Sequence, residues 1–342
     1  MIKLKKVIRP NILELEPYSS ARDEFSGKEG VFLDANENPY GKLNRYPDPY
    51  QTELKTKLGE LKEINSENIF IGNGSDEVID LAFRLFCVPG KDKALTFSPT
   101  YGMYDVSAAI NNVELKKVSL TRDFQIDLQK TIPYLTDKSI KVIFICSPNN
   151  PTGNVLLKKD IEFILNVFKG IVVIDEAYID FSETSSLIKL LREYDNLIVS
   201  QTFSKAWGLA AARVGVAYAN PELISFYNKI KPPYNVSGLN QKAALDALKN
   251  VERFEKNKAR ILSDKEKLIK ALNRLDFVTK IYPSDANFLL IQMTNADEIY
   301  DYLVEQDIVI RNRNHQVTNC VRISVGTIKE NQKLLRALKN RK

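Results

Sequence analysis

Four short apolar runs constrain this chain more than any other feature: KVIFIC (141–146), IVVI (171–174), NLIVS (196–200) and VGVAYA (214–219). None alternates apolar with polar residues, so each reads as a strand covered on both faces, the situation of strands in a parallel sheet flanked by helices. Between the first two lies LLKKDIEFILNVFKG, where Ile161, Ile164, Leu165 and Phe168 recur at helical spacing and Gly170 stands where a C-cap belongs. Strand, helix and strand in that order make a βαβ unit. The same alternation from about residue 68 to 220 predicts an α/β sheet.

After about residue 236 the text changes character. The charged stretch NVERFEKNKARILSDKEKLIKALNRLD reads as a mostly solvated helix leading away from the sheet, followed by NFLLIQM and VRISV as strands, helical DEIYDYLVEQ between them, and KENQKLLRALKN closing the chain. This is a second domain, and 342 residues leave room for roughly two. The first forty-odd residues, interrupted by Pro10, Pro17, Pro39, Pro47 and Pro49, are too broken for a domain and are expected to wrap the others.

Several function classes recede on composition. No stretch approaches the roughly 20 apolar residues of a membrane span, and MIKLKKVIRPNIL lacks the apolar core of a signal peptide, so a cytoplasmic location is expected. Cys87, Cys146 and Cys320 form no CxxC pair and are expected to pack in the core rather than bind zinc. His315 is the only histidine and sits in polar RNRNHQVTN, an exposed loop by expectation, which leaves little for a Ser-His-Asp triad or a multi-histidine metal site. The net charge of +6 is spread along the chain with no basic helix, which gives nucleic-acid binding only weak support, and such a field equally favours small anionic substrates.

In open α/β sheets ligands sit beyond the carboxyl ends of the strands. There the chain places SPNNPTG after KVIFIC, Asp175 in DEAY after IVVI, and TFSK with Lys205 after NLIVS, then Arg213 opening the next strand. The stretch IFIGNGSDEVIDLAFRLF adds a strand, a turn and a helix capped by Ser75 or Asp76, whose free N–H groups suit an anion. A dinucleotide fingerprint fails because Glu77 occupies its third glycine position, which disfavours a nicotinamide dehydrogenase, and no Walker A sequence is present. Lys205 alone reads more readily as a snorkelling surface lysine than as a reactive amine. Together with a carboxylate, an arginine and an anion site, it makes the parts of a pyridoxal phosphate (PLP) site.

SPNNPTG, DEAY and SKAWGLAAARVG, in this order, resemble the fold-type I aminotransferases. LEPYSSAR (15–22), LDANENPYG (33–41), NRYPDPY (44–50), GNGSDE (72–77), PTYGMY (99–104), PSDANFLL (283–290), VIRNRN (309–314) and CVRISVGT (320–327) are similar to the histidinol-phosphate aminotransferase family over nearly the whole chain. The resemblance implies a PLP-dependent transferase fold of type I, aspartate aminotransferase-like, with a mostly parallel seven-stranded sheet in the large domain and a smaller α/β C-terminal domain. It divides the chain into an N-terminal segment (1–44) that wraps onto the small domain and a dimer partner, a large PLP-binding domain (45–240) and a small C-terminal domain (241–342). Related branches, the aromatic amino acid aminotransferases and the phosphothreonine-type decarboxylases, share several of these phrases.

The resemblance also implies roles. Lys205 forms the Schiff base with PLP and then moves the proton between the substrate α-carbon and the cofactor's C4′. Asp175 pairs with the pyridinium nitrogen. Asn150 and Tyr178 hydrogen-bond the 3′-oxygen, and Tyr101 stacks on the ring. The cofactor phosphate lies at the helix start of Gly74, Ser75 and Asp76, enclosed by Thr202, Ser204 and Arg213 and reached by Tyr46 of the neighbouring subunit of a homodimer. Substrate recognition falls to Tyr18, Asn36, Arg311 and Arg322. The implied reaction converts L-histidinol phosphate and 2-oxoglutarate to 3-(imidazol-4-yl)-2-oxopropyl phosphate and L-glutamate in L-histidine biosynthesis, with ping-pong kinetics.

Overall fold

The apolar runs form strands in two sheets. The computed structural model describes residues 4–18 and 30–341, so the Ser19 to Arg22 part of LEPYSSAR lies outside the described residues. The larger sheet has seven strands: β1 (Ile69–Asn73), β2 (Lys93–Ser98), β3 (Glu114–Ser119), β4 (Ile140–Cys146), β5 (Ile171–Asp175), β6 (Leu197–Thr202) and β7 (Val214–Ala219). Their order is β1-β7-β6-β5-β4-β2-β3. Every residue of β5, β6 and β7 is buried, as expected of strands covered by helices on both faces. The edge strand β3 is mostly exposed and carries Lys116 and Lys117, charges that blunt pairing with another sheet.

The pairings β3–β2–β4–β5–β6 are all parallel, as the alternating pattern predicts. The strand β7 runs antiparallel to both β6 and β1. Its apolar content cannot reveal that direction, because a strand buried on both faces reads the same either way. Only 11 residues, 203–213, separate β6 from β7, and they contain no α-helix that would carry the chain back to the far end of the sheet for a parallel return.

Two local expectations are corrected. The helix Lys158–Val167 forms as predicted, but its C-cap is Phe168 in extended conformation, not Gly170. A side chain at Gly170 would put a Cβ 2.4 Å from the Lys141 carbonyl oxygen, so this glycine serves the close approach of two backbones at the start of β5. The helix Ser75–Phe86 is entered through Gly74 at φ +80°, with no side-chain cap from Ser75 or Asp76. The turn is braced instead by Glu77, whose carboxylate accepts from the Asn73 N–H at 2.5 Å and from Asn235 Nδ2 at 2.8 Å.

The C-terminal part folds on a second, antiparallel sheet of β8 (Val278–Ile281), β9 (Phe288–Met293), β10 (Arg311–Asn312) and β11 (Cys320–Ser324), in the order β10-β11-β9-β8. β9 and β11 are the two apolar strands legible in the sequence; β8 and β10 are short and polar and carry no such pattern. The 22-residue helix Val251–Leu272 is largely exposed, and packs Leu268 and Leu272 against β9, β11 and the closing helix Ile328–Asn340. Phe254 and Phe288 from this part meet Tyr178 and Ala206 from the large sheet in one small apolar cluster that joins the two units beside the strand ends. All three cysteines are buried and unpaired, and His315 is exposed, as expected. No described helix is long and apolar enough to cross a membrane.

Candidate active site

A concavity of about 1010 Å³ lies at the amino ends of β4, β5 and β6 among Lys138, Lys141, Gly170 and Asn196, and gathers no convergent catalytic chemistry. At the carboxyl ends of the same strands a smaller cavity of about 110 Å³ holds Asn150, Asp175, Tyr178, Thr202, Ser204 and Lys205 together with Ser75, Asp76, Tyr101 and Arg213. Chemistry rather than size identifies the site. Its position is the one where α/β sheets bind ligands.

Asp175 ends β5 with its side chain buried. Its Oδ2 accepts from the Tyr104 hydroxyl at 2.9 Å and its Oδ1 from the Ala177 N–H at 3.1 Å. No cation lies within ion-pair distance of it among the described residues. Burial pushes its pKa up; the Tyr104 and Ala177 hydrogen bonds and Lys205 oppose this only in part. A buried carboxylate without a cation is costly. It is the acceptor a protonated ring nitrogen would need.

Lys205 follows β6 in the loop that leads to β7. Its ammonium lies 5.6 Å from the centroid of the Tyr178 ring. Burial lowers its pKa, helped by the positive charge of Arg322 and opposed by Asp175, so the neutral, nucleophilic amine is more accessible than on an ordinary surface lysine. Asn150 joins the two sheets: its Nδ2 donates to the Tyr178 hydroxyl at 3.3 Å and its Oδ1 accepts from Arg322 of β11 at 2.5 Å.

The other wall is an anion cradle. Ser75 and Asp76 open a helix, so their amides have no intrahelical carbonyl to bond. The Arg213 guanidinium reaches the same turn and pairs with Asp76 at 2.9 Å. A Cβ at Gly74 would stand 2.7 Å from Arg213 Nη2. The Asp76 carboxylate is engaged by Arg213 and by the Tyr101 hydroxyl at 3.1 Å, which leaves its backbone N–H as the group that faces an anion. Thr202 Oγ1 lies 3.0 Å from Ser204 Oγ and accepts from the Ser204 N–H at 3.1 Å. Arg213 opens β7, so it reaches the carboxyl-end edge because β7 is reversed; on a parallel strand it would lie at the opposite edge.

Gly215 sits beneath this cradle. An added Cβ would fall 2.2 Å from the Ser75 nitrogen and 2.3 Å from the Gly74 carbonyl carbon, both backbone atoms that cannot swing away. Gly215→Ala is therefore expected to cost about 1–3 kcal/mol of stability, the usual range for overpacking, and to weaken retention of PLP by moving the helix start. Urea denaturation and equilibrium dialysis of the cofactor measure the two effects.

Of the expected site residues, Tyr18, Asn36, Tyr46, Gly74, Arg311 and Arg322 do not line the Lys205 cavity. Tyr46 stacks on Tyr234, with ring centroids 4.5 Å apart, and is 51% exposed. Asn36 and Tyr46 share a separate concavity, and Tyr18 lies 71% exposed beside Tyr50 and Tyr234. Arg311 is exposed on β10, directly opposite Arg322 on β11. Sequence reasoning overlooked Tyr104, fully buried against Asp175. Its only local signal is the second tyrosine of PTYGMY, three residues after Tyr101 and so on the same side of a helical turn.

The cofactor test is whether these groups suit PLP. A lysine of lowered pKa, an unpaired buried carboxylate and a helix start flanked by arginine match an aldehyde, a ring nitrogen and a phosphate ester, and all three line one cavity.

A family model described as aminotransferase class I and II matches residues 29–338. The histidinol-phosphate aminotransferase of Christiangramia forsetii is 53% identical over 341 residues, covering 98% of this chain and 97% of that protein. That of Cytophaga hutchinsonii is 51% identical over 343 residues, 98% of each. The crystal structure of the histidinol-phosphate aminotransferase from Clostridium acetobutylicum superposes with a TM-score of 0.80 at 27% identity, over 87% of this chain and 90% of that one. With the family model and half-identical relatives both spanning nearly its full length, the chain belongs to the class I and II aminotransferases and, among them, to the histidinol-phosphate aminotransferases.

Proposed function

We infer that the cavity around Lys205 carries out PLP-dependent transamination between L-histidinol phosphate and 2-oxoglutarate, yielding 3-(imidazol-4-yl)-2-oxopropyl phosphate and L-glutamate in histidine biosynthesis. The observation that carries this reading is the link from Arg322 through Asn150 to Tyr178, which ties an arginine of the small sheet to the wall of the cavity that holds Lys205. One end of the site handles an amino group, and the other is built for an anion.

When bound, PLP supplies an electron sink for the pair left on the substrate α-carbon and carries the amino group between the two substrates. The chain's own side chains do the rest. Asp175 holds a proton at the ring nitrogen, and Tyr104 and Ala177 hold Asp175. Lys205 would anchor the cofactor, and its neutral amine would move the proton between the substrate α-carbon and C4′. Tyr178 and Asn150 would hold the cofactor's 3′-oxygen, and Tyr101 would pack against its ring. Ser75 and Asp76 amides, with Gly74, Thr202, Ser204 and Arg213, hold the phosphate. Arg322 and Arg311 take the anionic end of the substrate, where a planar guanidinium suits phosphate and carboxylate alike.

Tyr46, Tyr18 and Asn36 complete the site of a second copy in a homodimer. What supports this is the surface of the N-terminal segment, where Val31, Leu33, Tyr40 and Leu43 are 88%, 87%, 84% and 73% exposed. So many large apolar groups bared within a few turns of chain mark an interaction surface. The same reading divides the chain into an N-terminal segment to residue 44, a large domain to 240 and a small domain to 342. The buried free thiols agree with a cytoplasmic location.

The test is product formation. Enzyme with PLP and 2-oxoglutarate is offered L-histidinol phosphate, phenylalanine or phosphothreonine, and glutamate is measured. Glutamate from histidinol phosphate at much the highest kcat/KM is expected. Preference for phenylalanine would reassign the substrate, and carbon dioxide released from phosphothreonine would make the chain a decarboxylase.

A further inference from the structure

β10 and the turn after it read Arg311-Asn312-Arg313-Asn314, a cation and an amide by turns. In extended chain successive side chains point to opposite faces. The Nδ2 groups of Asn312 and Asn314 donate to the two carboxylate oxygens of Asp297, each at 2.6 Å. Asn314 Oδ1 also accepts from the Asn319 N–H at 2.7 Å. Both amides are thus clamped onto the helix Ala296–Glu305, which leaves Arg311 and Arg313 to the other side.

On that side is Arg322, paired in register with Arg311. Like charges directly opposite one another destabilise a ladder. Arg313 adds a third guanidinium, half-buried; its pKa falls to about 10, through burial first and then through Arg322 and Arg311. The Tyr178 phenol of the Lys205 cavity is near enough to act on Arg313 in the opposite sense. None of the three arginines has a carboxylate partner among the described residues. The Nε atoms of Arg313 and Arg322 are buried with no hydrogen-bond partner. Unpaired buried donors and mutual repulsion both oppose folding. The Asn150 hydrogen bond and the Phe288 ring beneath Arg322 offset them only in part; a phosphate monoester, with close to two negative charges and three acceptor oxygens, supplies the missing partners.

We propose that Arg313 is a third substrate-binding arginine, acting with Arg311 and Arg322 on the phosphate of histidinol phosphate, and that Asp297 is the positioning residue that aims it. This rests on the substrate reading above.

The test uses the PLP-loaded enzyme, with Arg313→Gln, Arg313→Lys and Asp297→Ala. Arg313→Gln is expected to raise the KM for L-histidinol phosphate about 10- to 100-fold, the effect of losing a hydrogen bond to a charged group. The Ki for inorganic phosphate as competitor should rise in parallel, with a much smaller fall in kcat. Lysine should restore part of the affinity, as a point charge without the fork. Asp297→Ala should shift KM in the same direction, and the double variant should fall short of the product of the two effects. Without phosphate, Arg313→Gln should melt no lower than wild type, since a repulsive charge is removed; an arginine kept for structure would give a lower melting temperature. If wild type turns over histidinol phosphate while KM and the phosphate Ki of Arg313→Gln are unchanged, the assignment is overturned and the substrate reading stands. If wild type does not use histidinol phosphate at all, the substrate reading fails, and the role of Arg313 fails with it.

Discussion

Lys205→Ala loses turnover by at least ~10³-fold, within the range that a positioned proton-transfer group contributes, and no longer holds PLP covalently. The variant folds, because Lys205 makes no ion pair among the described residues and its ammonium is partly desolvated, so alanine removes a cost. Lys205→Arg separates charge from chemistry: it keeps a positive charge in the same cavity as Asp175 yet offers no amine that can be deprotonated near neutral pH. It should be as inactive as alanine. Borohydride reduction followed by intact-mass measurement shows whether the chain carries the cofactor, and the glutamate assay measures turnover. Appreciable turnover in either variant would remove Lys205 from the chemistry.

Asp175→Asn is expected to lower kcat by about 10²- to 10³-fold, the loss seen when one preorganised electrostatic partner is removed. An amide can accept from the Ala177 N–H with its oxygen and, with the direction reversed, donate its Nδ2 to the Tyr104 hydroxyl, but it cannot hold a proton on the ring nitrogen by charge. The same change should stabilise the cofactor-free protein. Burial raises the Asp175 pKa, so the folded state binds its proton more tightly than the unfolded chain does. The ionised side chain therefore subtracts from stability once pH exceeds the unfolded carboxylate range, near pH 4, and subtracts nothing below it. Melting curves of wild type and variant without PLP should coincide at acid pH and separate in the variant's favour as pH rises. A variant that is less stable at neutral pH and still active would make Asp175 a structural carboxylate.

Much of the site is legible because it is written at strand ends. Asn150, Asp175, Thr202 and Lys205 each lie within five residues of the end of an apolar run, and runs that pair in parallel deliver whatever follows them to one edge. Tyr104 was not legible, because its partner lies 71 positions away and a tyrosine in a helix is compatible with packing alone. Arg313 was not legible either. Its neighbours Arg311 and Arg322 come from two strands of the antiparallel small sheet, and β10 is too short and polar to announce itself.

By itself the sequence determined seven of the eleven described strands, the helix between β4 and β5, the two-part organisation and the family, since these depend on local periodicity and on phrases of a few residues. Only the tertiary structure decided the direction of β7, and with it whether Arg213 reaches the phosphate cradle or the far edge. It also decided why Gly170 and Gly215 must be glycine, which depends on backbones brought close from elsewhere in the chain. Burial on both faces erases the alternation that would mark a strand's orientation, and close approach has no signature in the residue that permits it.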